Sequence, residues 1–177
     1  MRVYKIGLGI VAAGALSLSL VPPAAAVPGG TTATITVQGG SLSITVPAAA
    51  GNLGTAINTV GGEVVTGSLG VVQVSDARSA AAGSGWVASV ISTAFTPPAG
   101  PAIAASAVGY TAGTITTTGT ATYTANDPPN LTGVSPAITA TGITGDNSAT
   151  WNPTISVTVA GGTLAGVYSA TITHSVA

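Results

Sequence analysis

The sequence predicts an all-β protein, an antiparallel β-sandwich of about eight short strands with immunoglobulin-like architecture. Three observations carry that expectation. Apolar residues recur with a period of two along most of the chain, and helical spacing is nowhere sustained. Thr, Val and Ile fill those runs, and β-branched side chains suit a pleated, half-buried surface. Clusters of Gly, Pro, Asn and Asp cut the runs into short pieces, as in a sandwich.

Taken in order, "TTATITV" places Ala33, Ile35 and Val37 on one face with threonines opposite. "SLSITV" does the same with Leu42, Ile44 and Val46, and Gln38-Gly39-Gly40 between them predicts a hairpin. In "GSLGVVQV", Leu69 is out of phase with Val72 and Val74, which a bulge at Gly70 would repair. "WVASVIS" is apolar on both faces and reads as a central strand. The stretch from Thr96 to Val108 is loop-like, with room for one short strand. "GTITTTGTATYT" sets Ile115, Thr117, Gly119, Ala121 and Tyr123 on one side. "AITATGI" follows a turn at Asp127-Pro128-Pro129, and Gly145-Asp146-Asn147 predicts another turn. Then "TISVTVA" points Ile155, Val157 and Val159 inward, and "VYSATITHSV" does so with Tyr168, Ala170, Ile172, His174 and Val176.

The first 26 residues read as a secretory signal peptide. Arg2 and Lys5 precede an apolar run from Ile6 to Leu20, Pro22-Pro23 breaks it, and Ala24-Ala25-Ala26 offers a cleavage site before Val27. The run falls short of a membrane span, so residues 27–177 are expected to form one secreted domain without a transmembrane segment. Outside the leader, one basic residue, Arg78, stands against Glu63, Asp76, Asp127 and Asp146. That balance argues against nucleic acid and anionic lipid as partners, since both require clustered Lys or Arg. With no Cys there is neither a disulfide framework nor thiolate chemistry. The surface must stay wet through hydroxyls rather than charges, which suits a protein held in a wall or an assembly.

Catalytic material is scarce. A zinc site needs three or four ligands, and only His174 and scattered acids are present. No Gly-x-Ser-x-Gly elbow accompanies the single histidine, and His174 alternates with apolar residues, so a core histidine is expected, its pKa lowered by burial. Asp127 and Asp146 sit in turn contexts that already explain them. Neither catalytic activity, a metal nor a cofactor is expected.

One stretch stands apart. "VSDARSAAAGSGWVASV" puts Asp76 and Arg78 at i and i+2, where a strand directs both side chains to one face. A small-residue linker then leads to Trp86, so the pair is expected to brace the loop that presents or buries the indole, with a cation–π contact from Arg78 if the two stack. Trp86, Asp76 and Arg78 are the candidate binding residues, and for Trp86 a core position is the stronger expectation.

This stretch resembles the first signature of the WxL-type surface domain of Gram-positive bacteria, on Val74, Asp76, Arg78, Gly85 and Trp86. "TATGITGDNSATWNPTISVTV" followed by "LAGVYSATITHSVA" is similar to that family's closing region. The chain looks like a divergent, actinobacterial-type WxL-like member. Ala88 stands where the first motif has leucine, and His174 and Val176 stand where the second has Trp and Leu. These three and Tyr168 are read as structural counterparts of the motifs. The resemblance implies non-covalent attachment to cell-wall peptidoglycan at the cell surface. The alternative is a structural or adhesive subunit that pairs with itself or other surface proteins through Thr-rich strand edges.

Overall fold

The computed structural model describes residues 30–177, so the leader expected over residues 1–26 lies outside the described residues. The chain divides into two units, Met1–Thr36 and Val37–Ala177, and the second carries every strand. Its strands are β1 (Leu42–Thr45), β2 (Glu63–Ser68), β3 (Val72–Ser92), β4 (Val108–Thr111), β5 (Ile115–Ala125), β6 (Ser135–Trp151), β7 (Thr154–Val159) and β8 (Ile172–Val176). A single 3-10 turn, Ala105–Ala107, precedes β4.

Two antiparallel sheets form the sandwich. The larger has the order β1-β3-β6-β5, with β8 also on β3, and the smaller has the order β2-β7-β4. β3 is long enough to take two partners on one edge: β1 pairs with Gln73–Asp76 and β8 with Ala88–Ser92. One apolar core lies between the sheets. The larger sheet contributes Val72, Val74, Trp86, Ile138 and Trp151, and the smaller Val108, Tyr110, Ile155 and Val157.

Several expectations are corrected. "TTATITV" forms no strand, and β1 pairs with β3 rather than with it, so the N-terminal hairpin is absent. Gly39 and Gly40 make no tight turn; they lie against the backbone of Ala77 and Arg78, so close that a Cβ on Gly39 would stand 2.6 Å from the Arg78 carbonyl oxygen. Gly70 is not a bulge but part of the corner, Leu69 to Val71, where the chain crosses between sheets with Gly70 at φ 95°. A matching corner at Asn152-Pro153 joins β6 to β7. Leu69 N–H donates to Pro153 O (2.9 Å), and Gly70 N–H and Ser68 Oγ both donate to Asn152 Oδ1 (3.1 and 2.6 Å). The two crossings brace one another.

Gly145-Asp146-Asn147 is also not a turn between strands, because β6 runs straight through it for 17 residues. Likewise the small-residue stretch after Arg78 is no loop but the bulged middle of the 21-residue β3. Elsewhere the pattern reading matches the fold: "WVASVIS" lies in β3 between β6 and β8, and Ile155 and Val157 of β7 are buried.

Candidate functional site

The ladder of the larger sheet breaks at its waist. Between Asp76↔Asn147 and Ala80↔Gly145, three residues of β3 oppose Asp146 alone; between Ala80↔Gly145 and Ser84↔Ile143, three more oppose Thr144. On the other side of β6, Gly119 of β5 faces three residues, Gly145–Asn147. Gly119 has φ 85°, and a Cβ there would run into the Asp146 carbonyl oxygen, so a residue without a side chain is required. Bulges leave backbone groups without ladder partners. Side chains take over that work here.

Asp76 is the centre of the arrangement, its side chain wholly buried. Arg78 closes a fork on it, Nε to Oδ1 at 2.8 Å and Nη2 to Oδ2 at 3.0 Å, while Arg78 N–H donates to Oδ1 at 3.1 Å. The Arg78 Nη2 also donates to Gly85 O (3.2 Å), tying the start of the bulged segment to its end. Asn147 Nδ2 donates to Asp76 Oδ2 (3.1 Å), and Asn147 Oδ1 accepts Trp86 Nε1 (2.9 Å) and Tyr123 Oη (3.3 Å). The Arg78 hydrogen bonds hold the Asp76 carboxyl down at about 2, against the opposing effect of burial. Five side chains from β3, β5 and β6 thus form one satisfied network.

Of the three candidate binding residues, the structure brings all into this network but exposes only one. Trp86 is 2% exposed and packs against Tyr123, ring centroids 5.9 Å apart, rather than under Arg78. Asp76 is equally hidden. Arg78, with 37% of its side chain exposed, reaches solvent. Gly85 of the same motif is explained by close approach, since a Cβ would lie 2.7 Å from Ala140 O. Asn147 and Tyr123 escaped the sequence reading. Asn147 resembled a turn residue, and Tyr123 resembled any core aromatic; only the register of β5 on β6 and β6 on β3 places them beside Asp76.

Of the residues read as motif counterparts, Ala88 is buried and Tyr168, His174 and Val176 are half-buried. Ala88 is fully buried and paired with Ile138 and Val176. Tyr168 is half-buried and its Oη donates to Leu164 O (2.9 Å). His174, half-buried on β8, meets Tyr110 Oη at 3.2 Å, and that same oxygen accepts Trp151 Nε1 at 2.7 Å. The Tyr110 hydroxyl thus sits between the indole N–H of Trp151 and the imidazole of His174, in hydrogen-bond reach of both. Burial lowers the His174 pKa to about 4 and raises that of Tyr110 to about 12. This chain of three links the larger sheet (Trp151, His174) to the smaller (Tyr110).

All four carboxylates accept a backbone N–H. Glu63 Oε2 takes Ile57 (2.7 Å), Asp76 Oδ1 takes Arg78, Asp127 Oδ1 takes Ala112 (2.8 Å), and Asp146 Oδ1 takes Ser79 (2.9 Å). Ser79 has φ 53°, a left-handed backbone that Asp146 holds through both its N–H and its hydroxyl. Asp127 itself sits at φ 44°. Among the described residues no group of three His, Cys, Asp or Glu could hold a metal ion.

The opposite face of the larger sheet is built otherwise. Register aligns Ser43, Ser75, Ser148 and Thr118 in one rank across four strands, and Thr45, Gln73, Thr150 and Thr116 in the next. Thr120/Thr144, Thr122/Thr141 and Thr124/Thr139 continue it along β5 and β6. No residue of these ranks is charged. No family model, curated protein or solved structure matches the chain.

Proposed function

We propose that this chain is a secreted, non-catalytic surface protein that associates non-covalently with peptidoglycan, as a divergent WxL-like domain would. The outer face of the larger sheet supports this reading. Its ranks of Ser, Thr and Gln side chains, four strands wide and uncharged, offer donors and acceptors at regular strand and residue spacings of about 5 and 7 Å. A repeating polyol polymer presents hydroxyls in a comparable array. Engagement of the carboxylates by backbone N–H groups agrees with a role other than acid–base catalysis. In this reading the Arg78–Asp76–Asn147–Trp86–Tyr123 network holds the sheet in shape across its bulges rather than touching the ligand.

The test is co-sedimentation with purified sacculi. Thr116→Val, Thr118→Val and Thr150→Val together remove three hydroxyls at nearly constant shape. The triple variant is expected to melt like the parent and to lose at least about tenfold in wall binding, the loss of ~1.4 kcal/mol or more. Equal binding by the triple variant would overturn the assignment of that face.

A second reading is favoured by one observation. β5 is an edge strand of 11 residues without a charged side chain, and natural edges are commonly guarded by Lys, Glu or Pro. On that ground the chain is a subunit that self-assembles through strand edges. Sedimentation in the absence of any wall separates this reading from the first.

A further inference from the structure

We infer that Thr31–Val37 is a donor strand that adds to the β5 edge of a second copy of this chain, linking copies head to tail. The inference rests on the second reading above and names the two surfaces that would carry it. The segment is built for a sheet: six of its seven residues are β-branched, with Ala33, Ile35 and Val37 on one face and Thr32, Thr34 and Thr36 on the other. Yet it forms no strand and has no ladder partner among the described residues, leaving Ile35 90% and Val37 78% exposed. A sequence with strand periodicity and an uncovered apolar face lacks its partner.

The β5 edge has the matching pattern. Thr116, Thr118, Thr120, Thr122 and Thr124 point outward, while Ile115, Ala121 and Tyr123 are half-buried on the core side. A strand laid beyond β5 would continue the threonine rows with Thr32, Thr34 and Thr36. It would also set Ala33, Ile35 and Val37 over the rim of the core beside those half-buried residues. Main-chain bonds would supply affinity and the alternating side chains register. Neither strand carries a charge, so nothing repels the pairing. The edges of the smaller sheet are occupied instead: Tyr110 N–H of β4 donates to Pro128 O, and Gly67 of β2 lies against the Leu53 backbone.

The chain cannot complete its own edge this way. Gly39 is seated on Arg78, on the β1 side of β3. The slot beyond β5 lies four strand spacings away, about 19 Å. Val37, two residues before Gly39, can be no more than about 7 Å from it. Completion of the β5 edge by this segment therefore takes a second molecule. Each copy then offers one donor and one acceptor, a heterologous contact that does not close and so propagates as a filament.

Absence of cysteine makes the test clean. Full-length Thr34→Cys is mixed under mild oxidation with Thr118→Cys, Thr120→Cys or Thr122→Cys, each from a separate preparation, and with Thr66→Cys on β2 as control. The expected result is a disulfide-linked heterodimer, several-fold above control, for at least one β5 position. A chain carrying both cysteines should give a ladder of higher oligomers. In parallel, sedimentation velocity should show association of the parent that Ile35→Asp abolishes without changing the melt, since Ile35 is exposed. Association that survives Ile35→Asp, without β5 cross-links, would overturn the donor strand but leave self-assembly standing. A parent that stays monomeric at all concentrations and gives no cross-link would overturn both.

Discussion

At the scale of single residues, the ion pair is asymmetric. Asp76 is buried and Arg78 is partly in water, so removing each leaves a different debt. Arg78→Met strands an ionised carboxylate in the core with Asn147 and one N–H for support, and is expected to cost about 3–5 kcal/mol. Asp76→Asn frees a guanidinium that water can reach, and should cost less. Urea unfolding of both variants at neutral pH would show the order; a reversed order would mean that Asp76 does not carry its charge in the core. Trp86→Phe keeps most of the apolar contact but loses the indole donor to Asn147, for about 1–3 kcal/mol. Trp86→Ala should cost about 3–5 kcal/mol. If Trp86→Ala melts like the parent yet fails to bind sacculi, the indole is a ligand contact after all. Acid should act in two stages. The folded pKa of His174, about 4, lies below its ordinary 6.5, so the unfolded chain takes up the proton first. Stability therefore falls as pH drops from about 6.5 towards 4, by about 1–3 kcal/mol given its partial exposure. Asp76, about 2 against 3.8, extends the loss below pH 4 with the same sign. His174→Gln should leave the urea midpoint flat between pH 6.5 and 4.5 while keeping the lower stage.

At the scale of elements, β3 and β6 are single long strands with bulged waists, not pairs of short strands joined by turns. The bulges persist because side chains replace the missing ladder bonds on both edges of the irregularity. Asp146 fixes Ser79 in its left-handed backbone, and Gly119 lets β5 pass close to the Asp146 carbonyl. Gly119→Ala combines a positive φ with a backbone clash, so it is expected to destabilise where an ordinary Gly→Ala exchange in a strand stabilises by ~0.5–1 kcal/mol. Asp146→Ala should cost about 1–2 kcal/mol through the lost N–H acceptor. Amide exchange would localise both effects to residues 77–85 and 117–120. Protection lost uniformly over the molecule would contradict the picture of a local brace.

At the scale of the whole molecule, the two sheets are joined by a shared core, by paired corners at Leu69–Val71 and Asn152-Pro153, and by the Trp151–Tyr110–His174 chain. The Tyr110 hydroxyl is the middle member of that chain, bonded to Trp151 Nε1 and to His174 Nε2. Tyr110→Phe should therefore leave both Trp151 Nε1 and His174 Nε2 unpaired. A loss of about 2–4 kcal/mol is expected, more than one hydrogen bond, because two half-buried or buried groups lose a partner. Thermal melts should broaden little if the sandwich still unfolds as one unit. A second transition would show that the sheets had separated.

The period-two pattern was enough to determine the all-β class, the central place of "WVASVIS" and the inward face of β7, since alternation alone decides which side chains can be buried. Composition also fixed how wet the surface could be: with four acids and one base after residue 26, hydroxyls had to do it. Only tertiary structure decided the rest. Gly-rich and Asp-rich stretches look alike whether they turn a chain or bulge a strand, because both use the same left-handed backbone. Gly145-Asp146-Asn147 read as a turn but sits inside β6 for that reason. The same ambiguity hid Asn147 as the hub between Asp76 and Trp86, a role created by cross-strand register and invisible in linear spacing. "TTATITV" shows the converse limit. Its alternation reads as a strand, but a strand exists only beside another, and among the described residues this segment has no neighbour to pair with.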